Sequence, residues 1–118
     1  MPSHLFKRGE VYWGNLDPQK GSEQSGRRPV VVLQNNLLNR VGNTVVVVPL
    51  THTTRFAHLP CCLLVPKGDC DLTADRDAVA LCHQIRVLDK RGLGAYITSL
   101  PSPIMTLLED RVRYTLDL

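Results

Sequence analysis

No apolar run in this 118-residue chain approaches the roughly 18 residues of a membrane-spanning helix, so nothing in it is expected to cross a bilayer. The opening segment Met1-Pro2-Ser3-His4-Leu5-Phe6-Lys7-Arg8 has basic residues but lacks the apolar stretch and small-residue cleavage site of a secretory signal, so a cytoplasmic location is expected. Aromatic residues are scarce. Two Phe, one Trp and three Tyr give a binding surface built on aromatic rings little to work with. Internal repeats, low-complexity stretches and linkers are also lacking, so residues 1–118 read as one domain. A chain of this length buries roughly two-thirds of the surface its unfolded form exposes. With 43% hydrophobic residues and a mean hydropathy of −0.08, it affords one core and needs no covalent staple.

Four cysteines (Cys61, Cys62, Cys70 and Cys82) are accordingly expected as free thiols rather than two disulfides. The adjacent Cys61 and Cys62 should point to opposite faces of a strand. A zinc site drawn from His52, His58, Cys61 and Cys62 matches no C-x-x-C or H-x-x-x-H spacing, so no metal is expected. The net charge of +3 is unevenly spread: residues 1–60 carry +4 and residues 61–118 carry −1. That skew would draw an anionic partner such as nucleic acid to the first half, although skews of this size also occur on ordinary solvated surfaces.

Strands are expected at Glu10–Leu16, Pro29–Gln34, Thr44–Leu50, Leu59–Val65, Ala78–Leu88 and Gly94–Thr98. Asp17-Pro18 ends the first and opens a long Gly/Ser/Gln-rich loop, and a long loop in a small β domain tends to be functional. Gly42-Asn43 turns the chain between two valine-rich runs that should pair antiparallel, and unbroken valine predicts burial on both faces. At the C-terminus Ser102 is expected to cap a helix with Pro103 in its first turn. Ile104, Leu107, Leu108, Val112 and Leu116 would form its buried stripe.

Arg27 and Arg28 stand immediately before the second strand, and arginine's planar, permanently charged fork suits a phosphate. Read alone, either arginine could equally be paired to Glu23 or solvated. Thr51 closes a hydrophobic strand and leads into His52, Thr53, Thr54 and Arg55, a cluster of short donors with one cation that also suits an ordinary turn. Gln84 could be a buried amide or one that reads a base edge. Metal-free RNA cleavage needs a base for the 2′-hydroxyl, positive charge at the phosphate, and a donor for the leaving 5′-oxygen.

Several segments in the same order, Arg8-Gly9-Glu10-Val11-Tyr12-Trp13, Leu16-Asp17-Pro18, Gly21-Ser22-Glu23-Gln24-Ser25-Gly26-Arg27-Arg28-Pro29, Gln34-Asn35, Pro49-Leu50-Thr51 and Gln84-Ile85-Arg86-Val87-Leu88-Asp89-Lys90, resemble the MazF/PemK (Kid) toxins. The resemblance spans nearly the whole chain, and its G-S-E-Q-x-G-x-R-P block is the most specific part. It implies a mainly β fold: a partly open SH3-like barrel of antiparallel strands with a C-terminal helix. It also implies a homodimer that cleaves single-stranded RNA at short sequences without metal or other cofactor, leaving a 2′,3′-cyclic phosphate and a 5′-hydroxyl. A cognate antitoxin with a disordered acidic tail would inhibit it. By position Arg28 and Thr51 match the catalytic arginine and threonine. Glu23 and Gln24 fall in the loop that shapes the active site, with Glu23 a further candidate for proton transfer, and Gln84 falls near the groove. Arg27, Asn35, His52, Thr53 and Arg55 are candidate RNA contacts.

One position departs from the family pattern. An acid commonly precedes this glutamine, and here it is His83, which either takes over proton transfer or packs at the groove edge. Two other readings share the expected fold: a gyrase-poisoning toxin that cleaves nothing, and a silent RNA- or peptide-binding module.

Overall fold

Residues 5–16, 26–66 and 77–118 are described by the computed structural model of the protein. The expectations for the loop after Leu16, for Glu23 and Gln24, and for Cys70 lie outside them. Within the described residues, β1 (Glu10–Leu16) pairs antiparallel with both β2 (Gly26–Val32) and β7 (Leu93–Ser99). Next to β2 lies β3 (Thr44–Thr51), whose first half pairs with β6 (Arg86–Asp89) and whose last two residues pair with β5 (Ala78–Leu81). β4 (Cys62–Val65) flanks β5. The strand order β4-β5-β3-β2-β1-β7, with β6 joined to β3, is that of the partly open barrel the resemblance implies.

The single strand expected over 78–88 is two. A 3-10 turn at Cys82–Gln84 breaks it, so that β5 and β6 meet β3 in succession. β2 starts at Gly26 and ends at Val32, three residues earlier and two residues shorter at its end than expected. A short helix α1 (Asn36–Val41) fills the connection read as a turn. Asn35 caps it by accepting the Leu38 N–H at 2.9 Å, and Gly42 closes it. Asn39 is buried there, its amide exchanging hydrogen bonds with the Gln34 side chain and carbonyl at 2.9 Å each. A buried amide so satisfied costs little.

Val30, Val31, Val32, Val45, Val47 and Val48 are fully buried because the sheet has apolar packing on both sides. Val11, Val31, Val48, Leu50, Leu63 and Val65 face α2 (Ser102–Leu116), while Phe6, Tyr12, Leu16, Val30, Val45 and Val47 fill the barrel's other side. The helix docks through Ile104, Met105 and Leu108, with Val112 half-buried, and Leu107 and Leu116 are exposed. The expected stripe is rotated by about one position. Nor does Ser102 cap the helix: it lies inside the first turn, and Pro101 occupies the cap without a side-chain bond. Arg8 ties the far end of β2 to this helix, donating to the Leu33 carbonyl at 2.9 Å and pairing with Glu109 at 2.9 Å. Among the described residues, no helix is long and apolar enough to cross a membrane.

Gly14 of β1 sits tightly against the core, since an added Cβ would meet both Val30 γ-methyls at 3.0 Å. Val30 has no exposed surface into which to retreat. Gly14→Ala should therefore lose about 1–3 kcal/mol of stability by overpacking. Urea denaturation would read this as a lower midpoint at unchanged slope. An unchanged midpoint would mean that Val30 yields.

Candidate functional site

The geometry of the site starts from the register between β2 and β3. Val30 stands opposite Pro49, Val31 opposite Val48 and Val32 opposite Val47. Carried two residues further, that register sets Arg28 across from Thr51, on one face of the sheet. The ladder ends before that pair, at Pro49, which has no N–H to donate. Beyond it β2 continues paired to β1, with Gly14 opposite Arg28, and β3 continues paired to β5, with Thr51 opposite Val79. The direct pairing of β2 with β3 thus stops short of these two residues, which puts Arg28 on one arm of a fork and Thr51 on the other.

On the first arm, Arg28 is exposed and its β1 neighbour Gly14 presents no side chain to crowd it. Arg27 points to the other face by strand alternation. Its guanidinium lies 4.6 Å from the centre of the Trp13 ring, a contact worth about 0.5–1 kcal/mol at an exposed position. Stacking fixes the cation without neutralising it.

On the second arm, Thr51 is buried, and its hydroxyl oxygen accepts the Thr53 N–H at 3.2 Å. The oxygen is thereby oriented while its own proton can still be donated. His52 follows, with Nδ1 3.2 Å from the Asp77 carbonyl, a partner that favours the tautomer carrying its proton on Nδ1. Thr53 is exposed ahead of the 3-10 turn Thr54–Phe56, in which the Arg55 guanidinium sits 4.6 Å from the centre of the Phe56 ring.

Gln84 ends the Cys82–Gln84 turn, which passes the middle of β3 between its β6 and β5 pairings and is half-exposed. Asn35 is not brought to this end. It lies beyond the opposite end of β2, and its side chain caps α1. His83 is exposed, and its Nδ1 lies 3.4 Å from Cys61 Sγ and 3.9 Å from Cys62 Sγ. The sequence reading missed the rings that hold two of the arginines, Trp13 and Phe56. The first is diagonal across two strands from its arginine, and only the register reveals it.

The expectation that Cys61 and Cys62 face opposite ways fails. Cys61 lies in the turn before β4, where two-residue alternation does not apply, and the two sulfurs approach to 3.7 Å. Cys61, Cys62 and Cys82 are free thiols. Burial, reinforced by the neighbouring thiols and opposed by Arg111, pushes Cys62 and Cys82 up to about 12 each.

A family model described as the PemK-like, MazF-like toxin of type II toxin-antitoxin systems matches residues 7–116. Over 114 residues the chain is 37% identical to the endoribonuclease EndoA of Bacillus subtilis (strain 168), covering 97% of each chain. The endoribonuclease MazF of Staphylococcus saprophyticus is likewise 37% identical over 114 residues, 97% of this chain and 93% of that one. Among solved structures, a mycobacterial endoribonuclease in complex with its cognate antitoxin superposes with a TM-score of 0.78 at 28% identity, covering 95% of both chains.

The raised thiols carry a pH dependence. Both lie near 12 in the folded protein against an ordinary 9.0, so the folded state retains protons that the unfolded state releases above pH 9. Their contribution to stability is complete below pH 9 and is lost as pH climbs toward 12. Tyr12, raised by burial and by its bond to Glu10, adds to the same slope. Denaturant midpoints should fall over this range, less steeply in Cys82→Ala than in the parent. Parallel curves would remove Cys82 as a source.

Proposed function

Because the chain belongs to the PemK-like, MazF-like toxins of type II toxin-antitoxin systems, we propose that it is a toxin endoribonuclease that cuts single-stranded RNA at short sequences without a metal, leaving 2′,3′-cyclic phosphate and 5′-hydroxyl ends. The observation that carries this reading is the fork between β2 and β3, with Arg28 and Thr51 on facing arms. A phosphodiester between the arms would meet a guanidinium from one side and an oriented hydroxyl from the other.

Arg28 stabilises the charge that grows on the phosphate oxygens as the 2′-oxygen attacks. Its guanidinium stays protonated, so electrostatic stabilisation is its role rather than proton transfer. Thr51 donates to a phosphate oxygen and holds the group for in-line displacement. Gln24, Arg27, His52, Thr53, Arg55 and Gln84 contact splayed bases and flanking phosphates, the usual mode of sequence-specific recognition of single-stranded RNA. Glu23 is a candidate for taking the 2′-hydroxyl proton, and the leaving 5′-oxygen gains a proton from solvent water to become the 5′-hydroxyl. A gyrase poison would have no use for a phosphate-holding fork.

Two partners accompany this reading. One is a second copy of the chain, with exposed Leu37, Leu38 and Val41 on α1 and Leu107, Tyr114 and Leu116 on α2 offering apolar surface for a homodimer. The other is a cognate antitoxin whose disordered acidic tail would cover the cationic half of the chain. The solved mycobacterial relative is an endoribonuclease held by its antitoxin, which supports a partner of that kind.

Arg28→Ala should fold and lose about 10²–10³ in cleavage rate, the usual cost of one transition-state donor. Full activity in that variant would refute the assignment. A substrate with deoxyribose on the 5′ side of the cut should stay whole, since it lacks the attacking hydroxyl. Mapping 5′-hydroxyl ends after incubation with total RNA and EDTA should give discrete cut sites; their absence would favour a silent binding module.

A further inference from the structure

Three soft or borderline donors converge where the turn before β4 meets the turn after β5. Cys61 Sγ and Cys62 Sγ are 3.7 Å apart, and His83 Nδ1 is 3.4 Å from the first and 3.9 Å from the second. A tetrahedral zinc ion with Zn–S of about 2.3 Å and Zn–N of about 2.0–2.1 Å requires S···S of about 3.8 Å and S···N of about 3.6 Å. All three separations lie within a few tenths of an ångström of those values. We propose that Cys61, Cys62 and His83 form a binding site for a zinc-class divalent cation, two thiolates and one imidazole on three vertices of a tetrahedron.

The donors are held from both sides of the strand pair. Cys62 stands opposite Leu81 in the β4–β5 ladder, and the Cys82 N–H donates to the Cys61 carbonyl at 3.0 Å. That bond fixes the turn bearing His83 directly onto the turn bearing the thiols. From α2, Arg111 donates to the Cys62 carbonyl at 3.0 Å and reaches the Pro60 carbonyl at 3.5 Å. The backbone that carries two ligands is thus clamped, and the chain need not reorganise to receive the ion. Cys82 is not among the converging donors.

Two thiols and an imidazole select a borderline or soft metal over magnesium or calcium, which take oxygen ligands. Binding displaces the two thiol protons to solvent and leaves a neutral imidazole coordinated through Nδ1. His83 is exposed and Cys61 half-buried, so the fourth vertex faces solvent and can take a water or an outside ligand. Sequence spacing could not reveal the site, because its ligands are an adjacent pair and a histidine 21 or 22 residues away.

Cobalt(II) titrated into the reduced, metal-stripped full chain tests this without reference to RNA. A thiolate-to-cobalt charge-transfer band with the intense visible bands of a tetrahedral ion should saturate at one ion per chain and vanish on adding zinc. Cys61→Ser and His83→Ala, each checked for folding by circular dichroism, should weaken zinc binding by more than about 100-fold. That exceeds the 10–100-fold typical of losing an outer-shell partner. Cys82→Ala, which removes a thiol that is not among the converging donors, should bind as the parent does. No charge-transfer band, parent-like affinity in Cys61→Ser or His83→Ala, or a band lost in folded Cys82→Ala would overturn the assignment.

Discussion

The antiparallel register that sets Val30 against Pro49 and Val32 against Val47 fixes where both arms of the fork lie. Valines buried on both faces hold it. A slip of one residue would exchange the side chains that face α2 with those that fill the barrel's other side, and both sets are large and fully enclosed. The register is therefore pinned by packing well inside the sheet, a few residues from Arg28 and Thr51. The ladder then ends at Pro49, short of Arg28 and Thr51. The site arises from a pairing that is rigid and then stops, which gives two polar residues fixed positions without burying them against each other.

Two kinds of partner recur among the arginines of the described residues. Arg8, Arg91 and Arg113 are engaged by Glu109, Asp89 and Asp110, and two of these contacts are exposed pairs of the kind that contribute little stability. Arg27 and Arg55 lie instead over Trp13 and Phe56. An aromatic face orders a guanidinium while leaving its N–H groups and its charge for an anion, whereas a carboxylate would occupy both. This gives the surplus of positive charge in the first half of the chain a structural meaning that its count lacks. Two of those cations are presented to solvent over aromatic faces, and two rings, Trp13 and Phe56, suffice to hold them.

Much of the fold was legible in the sequence because β-branched runs bounded by Gly, Pro and Asn leave few alternatives. β1, the start of β3 and the C-terminal helix follow those signals closely. The failures have physical causes. Helix α1 spans six residues and exposes Leu37, Leu38 and Val41, so it has no amphipathic period to find. The break at Cys82–Gln84 is forced by β3, which must meet two partners along one edge, and that is a tertiary demand with no local signature. On α2, Met105 replaces Leu107 in the buried stripe, since the angle at which the helix meets the sheet is set by the sheet. Arg28 and Thr51 were singled out through family resemblance, whereas the register that runs toward them from β2 and β3 is a property of the fold. Only the two cysteines of the thiol–imidazole cluster were legible: the zinc set that was set aside for its spacing joined them to His52 and His58, whereas the fold brings His83 to the thiols.

An open barrel of this type does not decide between cutting RNA, poisoning another enzyme and merely binding, because all three can be carried on the same strands. What separates them is whether the edge holds groups suited to a charge that exists only in a transition state. A binding module gains from any cation near a phosphate, and the stacked Arg27 and Arg55 would serve it equally well. Catalysis needs a donor fixed on each side of one phosphate, preorganised before the substrate arrives. Thr51, buried and oriented by the Thr53 N–H, meets that demand better than a surface hydroxyl would, since its position does not depend on the ligand. The case for an enzyme therefore rests on the threonine as much as on the arginine opposite it.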